Sequence, residues 1–166
     1  IYKYDKKINM RIYLSKPHMS GEEERFISDA FKSNFIAPLG PHLDKFEESV
    51  KCYLEDKSLH CVALSSGTAA LHLALKVAGV EEGDEVWVSS MTFAGGVFPI
   101  NYLGAKPRFF DLDVNTWCIS IDILEDELKN AAAKKMLPKA IIPTDLYGQS
   151  VDIDRLEKLS KVYSIP

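Results

Sequence analysis

Apolar positions in this chain follow two different rhythms. From residue 20 to about 56 they recur every three or four residues, which is the spacing of a helix face. Phe26, Ile27, Ala30 and Phe31 mark one amphipathic helix, and Leu43, Phe46, Val50 and Leu54 a second. The stretch NFIAPLGP separates them, with Pro38, Gly40 and Pro41 as breakers. Ser20-Gly21-Glu22-Glu23 reads as a capping box, Ser20 being the N-cap and Glu23 reaching back.

Beyond residue 60 short apolar runs alternate with helical stretches. HCVAL (60–64) predicts a buried strand, and Gly67 to Val77 a helix closed by Gly79. The buried face of that helix is expected to be Ala69, Ala70, Leu73, Ala74 and Val77, with His72 a packing or surface residue. EVWV (85–88) predicts a strand, and Thr92 to Leu103 a helix closed by Gly104. RFFDL (108–112) is the next strand, followed by a helix that Asp122 caps and that runs to about Lys134. AIIPT (140–144) is a strand, and Asp152 caps a helix to about Tyr163. Ser164-Ile165-Pro166 reads as the approach to another strand. Such alternation predicts an α/β fold: a mostly parallel sheet with helices on its faces.

Composition narrows the class without naming a function. The 166 residues suffice for a real core, and 46% hydrophobic with 27% charged residues is ordinary for a globular chain. A net charge of −4 argues against nucleic acid as a partner. No apolar run reaches the roughly 20 residues of a membrane span, and the charged N-terminus lacks a signal's apolar centre. Cys52, Cys61 and Cys118 form no CxxC pair and read as reduced thiols of a cytoplasmic protein. His18, His42, His60 and His72 are too scattered for a zinc site, so no metal is expected.

In an open α/β sheet, ligands bind beyond the carboxyl ends of the strands. Four polar segments fall there: Ser65-Ser66-Gly67-Thr68, residues 89–93 around Thr92 and Phe93, Asp111-Leu112-Asp113, and Thr144-Asp145-Leu146-Tyr147-Gly148. Ser66, Gly67 and Thr68 suit a phosphate. A helix start offers free amides and partial positive charge, glycine admits close approach, and the hydroxyls donate. Neither a Walker A loop nor GxGxxG is present. The same residues also suit a helix cap without a ligand, and Phe93 also suits a core position. Asp111 and Asp113 read as strand-end and turn residues, and Asp145 and Tyr147 as weaker candidates for substrate contact.

Taken together, SSGTAALHLAL, GDEVWVSSMTFAGGVFPINYLGAKPRFFDLD and LYGQSVDIDRLEKLSK resemble sugar-nucleotide aminotransferases of the DegT/StrS type, pyridoxal phosphate (PLP) enzymes of fold type I. NFIAPLGP is most similar to members that aminate UDP-linked 4-keto-6-deoxy amino sugars. The resemblance implies an extension and arm over 1–19, N-terminal helices over 20–56, and over 57–166 part of the PLP-binding large domain, continuing past residue 166. Met10 is the candidate natural start. It implies PLP as cofactor, with Gly67 and Thr68 on its phosphate, Ser66 beside them, Phe93 stacked on the ring and Tyr147 at the rim. The implied partners are a nucleotide-linked keto sugar, glutamate as amino donor, and a second copy in a homodimer. The aspartate for the pyridinium nitrogen and the Schiff-base lysine are expected after Pro166. Lys76, Lys129, Lys158 and Lys161 sit at ordinary surface positions of helices, so no catalytic residue is assigned to this chain. A PLP-dependent sugar dehydratase, with histidine for that lysine, would look the same over this stretch. A non-catalytic α/β phosphate- or nucleotide-binding domain is the remaining alternative.

Overall fold

The computed structural model describes residues 17–56 and 58–166. Most of the expected extension and arm, 1–19, lies outside the described residues. Two compact units divide the chain, residues 1–63 and 64–166.

The first unit carries α1 (Glu23–Ser33) and α2 (Pro41–Tyr53). The capping box forms only in part. Glu23 Oε1 accepts from the Ser20 amide at 2.7 Å, but the Ser20 hydroxyl accepts from Glu22 N–H rather than capping the helix, which begins at Glu23. Gly40, at φ 141°, turns the chain into α2, and Pro41 opens that helix where a missing N–H costs nothing. Residues 60–64 form no strand. A strand exists only through a partner's backbone, and here the Ala63 amide donates to the Glu47 carboxylate at 2.9 Å instead. Val62 stays exposed.

The second unit is a three-stranded parallel sheet in the order β2-β1-β3, from β1 (Glu85–Ser89), β2 (Lys106–Phe110) and β3 (Ala140–Ile142). Side chains alternate across the central strand. Val86 and Val88 pack with Leu75 of α3 (Gly67–Val77) and Ile100 of α4 (Phe98–Tyr102). On the other face Trp87 and Phe110 meet Leu124 and Leu128 of α5 (Ile121–Ala133) and Leu156 of α6 (Ile153–Tyr163). Helices therefore cover both faces, as the alternation predicts. Arg108 lies 5.1 Å from both the Trp87 and Phe110 ring centres and pairs with Glu127.

Several boundaries differ from the sequence expectation. RFFDL slides by two residues: β2 runs from Lys106, and Leu112 only bridges to Ile119. Ser120, not Asp122, caps α5, its hydroxyl accepting from Ile123 N–H; Asp122 instead pairs with Arg155 at 2.8 Å. The helix expected over Thr92–Leu103 breaks into a 3-10 turn at Ala94–Gly96 and the short α4, because Phe93 is extended and two glycines follow. The buried side of α3 is rotated from the expected one. Thr68, Ala69, Leu71, His72 and Leu75 turn inward, so Ala69 lies on the covered side as expected, whereas Ala70, Leu73, Ala74 and Val77 remain exposed. Asp152 caps α6 as predicted, accepting from Arg155 N–H at 3.1 Å. At the chain's end the Pro166 carbonyl accepts from Ile141 N–H of β3 at 3.1 Å.

Candidate functional site

The strand order creates a crevice. The chain leaves β1 for α4 on one face of the sheet, and leaves its neighbour β3 for α6 on the other. Between two such strands the departing loops diverge, and that is where open α/β sheets bind ligands. A cavity of about 540 Å³ opens at this place. Gly67, Thr68 and Leu71 line it from α3, Thr92, Phe93, Gly95 and Gly96 from beyond β1, and Ile142 to Asp145 from the end of β3.

At the α3 end, Ser66 is extended (φ −164°, ψ 162°), and its hydroxyl accepts from Ala69 N–H at 3.1 Å. That cap serves the third amide of the helix. The first two, on Gly67 and Thr68, have no partner within the helix and carry the positive end of its dipole. Gly67 needs no explanation from the fold itself. Its φ is helical, and a Cβ built there meets no protein atom within 4 Å. The space above it belongs to the cavity.

Gly95 is the opposite case. A Cβ there would lie 2.7 Å from Thr68 Oγ1 and 3.2 Å from the Phe93 ring, so the bare backbone lets both side chains sit where they do. Phe93 is 85% exposed, which rules out the core role that aromatic residues most often take. Thr144 donates its hydroxyl to Thr92 Oγ1 at 3.1 Å and ties the end of β3 to that of β1. Asp145 Oδ1 accepts from Val151 N–H at 2.9 Å.

Of the residues expected at the site, Gly67, Thr68 and Phe93 line one cavity. Ser66 is adjacent in the chain, its hydroxyl occupied by the cap. Tyr147 does not line the cavity; it stands 80% exposed on a left-handed backbone (φ 51°, ψ 32°) two residues past Asp145. Asp113 is a turn residue, as read. Amides of Thr116 and Asn115 donate to it and hold its carboxyl below the usual range. His72 packs edge-on against Tyr102, 5.7 Å between ring centres. Lys129 and Lys161 are spent on helix-surface ion pairs, and among the described residues no lysine lines the cavity. Leu71, Thr92, Gly95, Gly96 and Ile142 to Asp145, among them the weaker candidate Asp145, complete the lining. The strand-end rule points to the two threonines, but no sequence signal marks the two glycines.

Comparison with known proteins agrees with this architecture. EpsN of Bacillus subtilis (strain 168) is 45% identical over 159 residues, covering 96% of this chain and 40% of that protein. The UDP-4-amino-4-deoxy-L-arabinose–oxoglutarate aminotransferase of Shewanella sediminis (strain HAW-EB3) is 34% identical, covering 92% and 37%. The solved structure of the sugar aminotransferase homologue Spr1654 of Streptococcus pneumoniae, in its PLP-form, superposes with a TM-score of 0.72 at 29% identity, covering 90% of this chain and 36% of that one. The chain thus spans about two fifths of the length of the curated relatives it matches. Residues 17–166 match the model of the DegT/DnrJ/EryC1/StrS aminotransferase family, and the chain belongs to that family.

Proposed function

We propose that the full-length protein is a PLP-dependent aminotransferase that moves an amino group from glutamate to a nucleotide-linked keto-deoxy sugar. In this reading the present chain supplies the seat for the cofactor's phosphate and a wall for its ring. The observation that carries it is Gly67. Neither backbone strain nor a protein neighbour calls for a glycine there, and it stands beside two free helix-start amides at a cavity. A phosphate needs such an approach, with N–H donors at about 2.8–3.0 Å and no side chain between.

PLP, when bound, supplies an electron sink for the bond changes at the amino donor's carbon. This chain's residues bind and orient. Gly67 and Thr68 take the phosphate through their amides and the Thr68 hydroxyl. Phe93, exposed to the cavity, offers its ring face to a planar heterocycle. The hydroxyl bridge between Thr144 and Thr92 fixes the distance between the strand ends that carry this wall. Tyr147 stands at the rim, where a sugar or its nucleotide would enter. The name of the Shewanella relative, with its UDP-linked sugar and oxoglutarate, favours the same substrate class for this protein. The working form is a cytoplasmic homodimer. Phe26, Ile27 and Phe31 of α1 and Phe46 of α2 are all exposed, and such apolar side chains suit a subunit contact.

The test is a titration of PLP into the full-length apoprotein and its Thr68→Val variant. A hydrogen bond to a charged group contributes about 1.5–3 kcal/mol, so loss of the hydroxyl should raise Kd at least about tenfold. Formation of oxoglutarate from glutamate, dependent on a nucleotide-linked keto sugar, should fall in parallel at limiting PLP. An unchanged Kd sinks the phosphate assignment.

A further inference from the structure

Two glycines follow Phe93 by two and three residues, and neither is a turn glycine in the usual sense. Gly95 is buried in the 3-10 turn, and its φ lies outside the left-handed region, so alanine would adopt the same backbone. Neighbouring side chains are what keep the position bare. A Cβ there would lie 2.7 Å from Thr68 Oγ1, 3.2 Å from Phe93 Cδ1 and 3.4 Å from Phe93 Cε1. One absent methyl thus separates a hydroxyl at the start of α3 from an exposed ring beyond β1. Thr68 has few staggered positions to retreat to, because it is β-branched and sits in a helix. Gly96 repeats the pattern for another hydroxyl. Its Cβ would lie 2.8 Å from Thr92 Oγ1, the oxygen that accepts from Thr144.

We infer that Gly95 is a positioning residue: the empty space at its Cβ sets the Thr68 hydroxyl beside the Phe93 ring, so that the phosphate and the ring of one ligand are met together. This rests on the function proposed above and adds to it the residue that joins its two halves. With alanine at 95 the Thr68 oxygen must leave its place, since 2.7 Å is closer than van der Waals contact allows. The ring has to give by only a few tenths of an ångström. The displaced oxygen is the end of a side chain, so the fold absorbs the move. A phosphate that hydrogen-bonds to that oxygen does not.

The experiment is a double-mutant cycle, read by calorimetric titration of pyridoxamine 5′-phosphate into the full-length apoprotein. Gly95→Ala should raise Kd at least about tenfold, the effect of losing one hydrogen bond to a charged group, while the urea midpoint stays at that of the parent. Thr68→Ala removes the oxygen that the new methyl would meet. It should raise Kd by itself, and adding Gly95→Ala to it should change Kd by less than about twofold. Gly96→Ala is the control, because its three nearest contacts are all with Thr92. Its effect should be the same whether residue 68 is threonine or alanine. No response to Gly95→Ala in the parent, or an undiminished response in the Thr68→Ala background, overturns the inference. If Gly95→Ala alone does not fold, recovery of folding in the double variant reads the same contact, and no recovery overturns it. Thr68→Ala also separates the two readings. An unchanged Kd there means that the phosphate seat is misplaced, whereas a raised Kd with no response to Gly95→Ala sinks only the role of Gly95.

Discussion

Gly67→Ala divides the demands of folding from the demands of binding. In the apoprotein the added methyl meets no protein atom within 4 Å, and the backbone is already helical. Alanine is favoured over glycine in helix interiors by about 0.8–1 kcal/mol, and less at a first-turn position. Most of that preference is the lower entropy of the unfolded chain, which by itself is worth about 0.4–1 kcal/mol. The apoprotein should therefore be unchanged or stabilised by up to about 1 kcal/mol. Binding should move the other way. A methyl at this point stands where a phosphate oxygen must come within about 3 Å of the amide. Losing one hydrogen bond to a charged group costs about 1.5–3 kcal/mol, which raises Kd roughly 10- to 150-fold. Urea unfolding of the full-length apoprotein reads the first effect, and PLP titration by absorbance the second. Apoprotein destabilised by more than about 1 kcal/mol would mean that the fold needs the glycine. Unaltered PLP affinity would mean that nothing approaches it. Either result refutes the reasoning.

Other expectations concern the scaffold. Leu128 is fully buried between α5 and the Trp87 face of the sheet, so Leu128→Ala should cost about 2–5 kcal/mol in urea unfolding. Ser120→Ala should cost about 1 kcal/mol through the lost α5 cap, whereas Asp122→Ala, which removes only an exposed ion pair with Arg155, should cost under about 1 kcal/mol; the reverse order would restore Asp122 as the cap. The Glu23 carboxyl is lowered to about 2, chiefly by the backbone amide of Ser20. A folded-state value below the unfolded one means that the contact is fully present above the ordinary carboxylate range and is lost as pH falls through about 2. The Ser20 and Gly21 amide shifts, followed by NMR, should titrate near that lower value, and a midpoint above 4 would show that the reach-back contact is absent.

Elements with strong local causes were legible in the sequence. The α3 bounds, the Asp152 cap of α6 and the strand at residues 85–88 all follow from a cap residue, an apolar period or a β-branched run. Sequence and structure part where two local signals compete within a few residues. Ser120 and Asp122 are both good caps two positions apart, and only the packing of Ile121 and Leu124 settles the helix start. HCVAL has the composition of a strand, yet pairing belongs to two segments and composition to one. The covered face of α3 is not fixed by its sequence, because Ala, Leu and Val surround most of that helix and only its neighbours decide which side is covered.

The site divides in the same way. Ser66-Gly67-Thr68 and Phe93 could be found from the sequence because a helix start after an apolar run, and an aromatic after the next strand, are local facts. That Thr68 and Phe93 share a cavity with Thr144 and Asp145 was not available locally, since those residues lie up to 77 positions apart. Their meeting follows from the order β2-β1-β3, which sets β3 beside β1 and sends the two departing chains to opposite faces. Alternating strands and helices specify a parallel sheet but not which strands are neighbours. The chain by itself determined a capped helix start with free amides and an aromatic side chain beyond the next strand. Tertiary structure alone decided that they face one crevice, because neighbour choice is set by how the helices cover the whole sheet and not by any one segment.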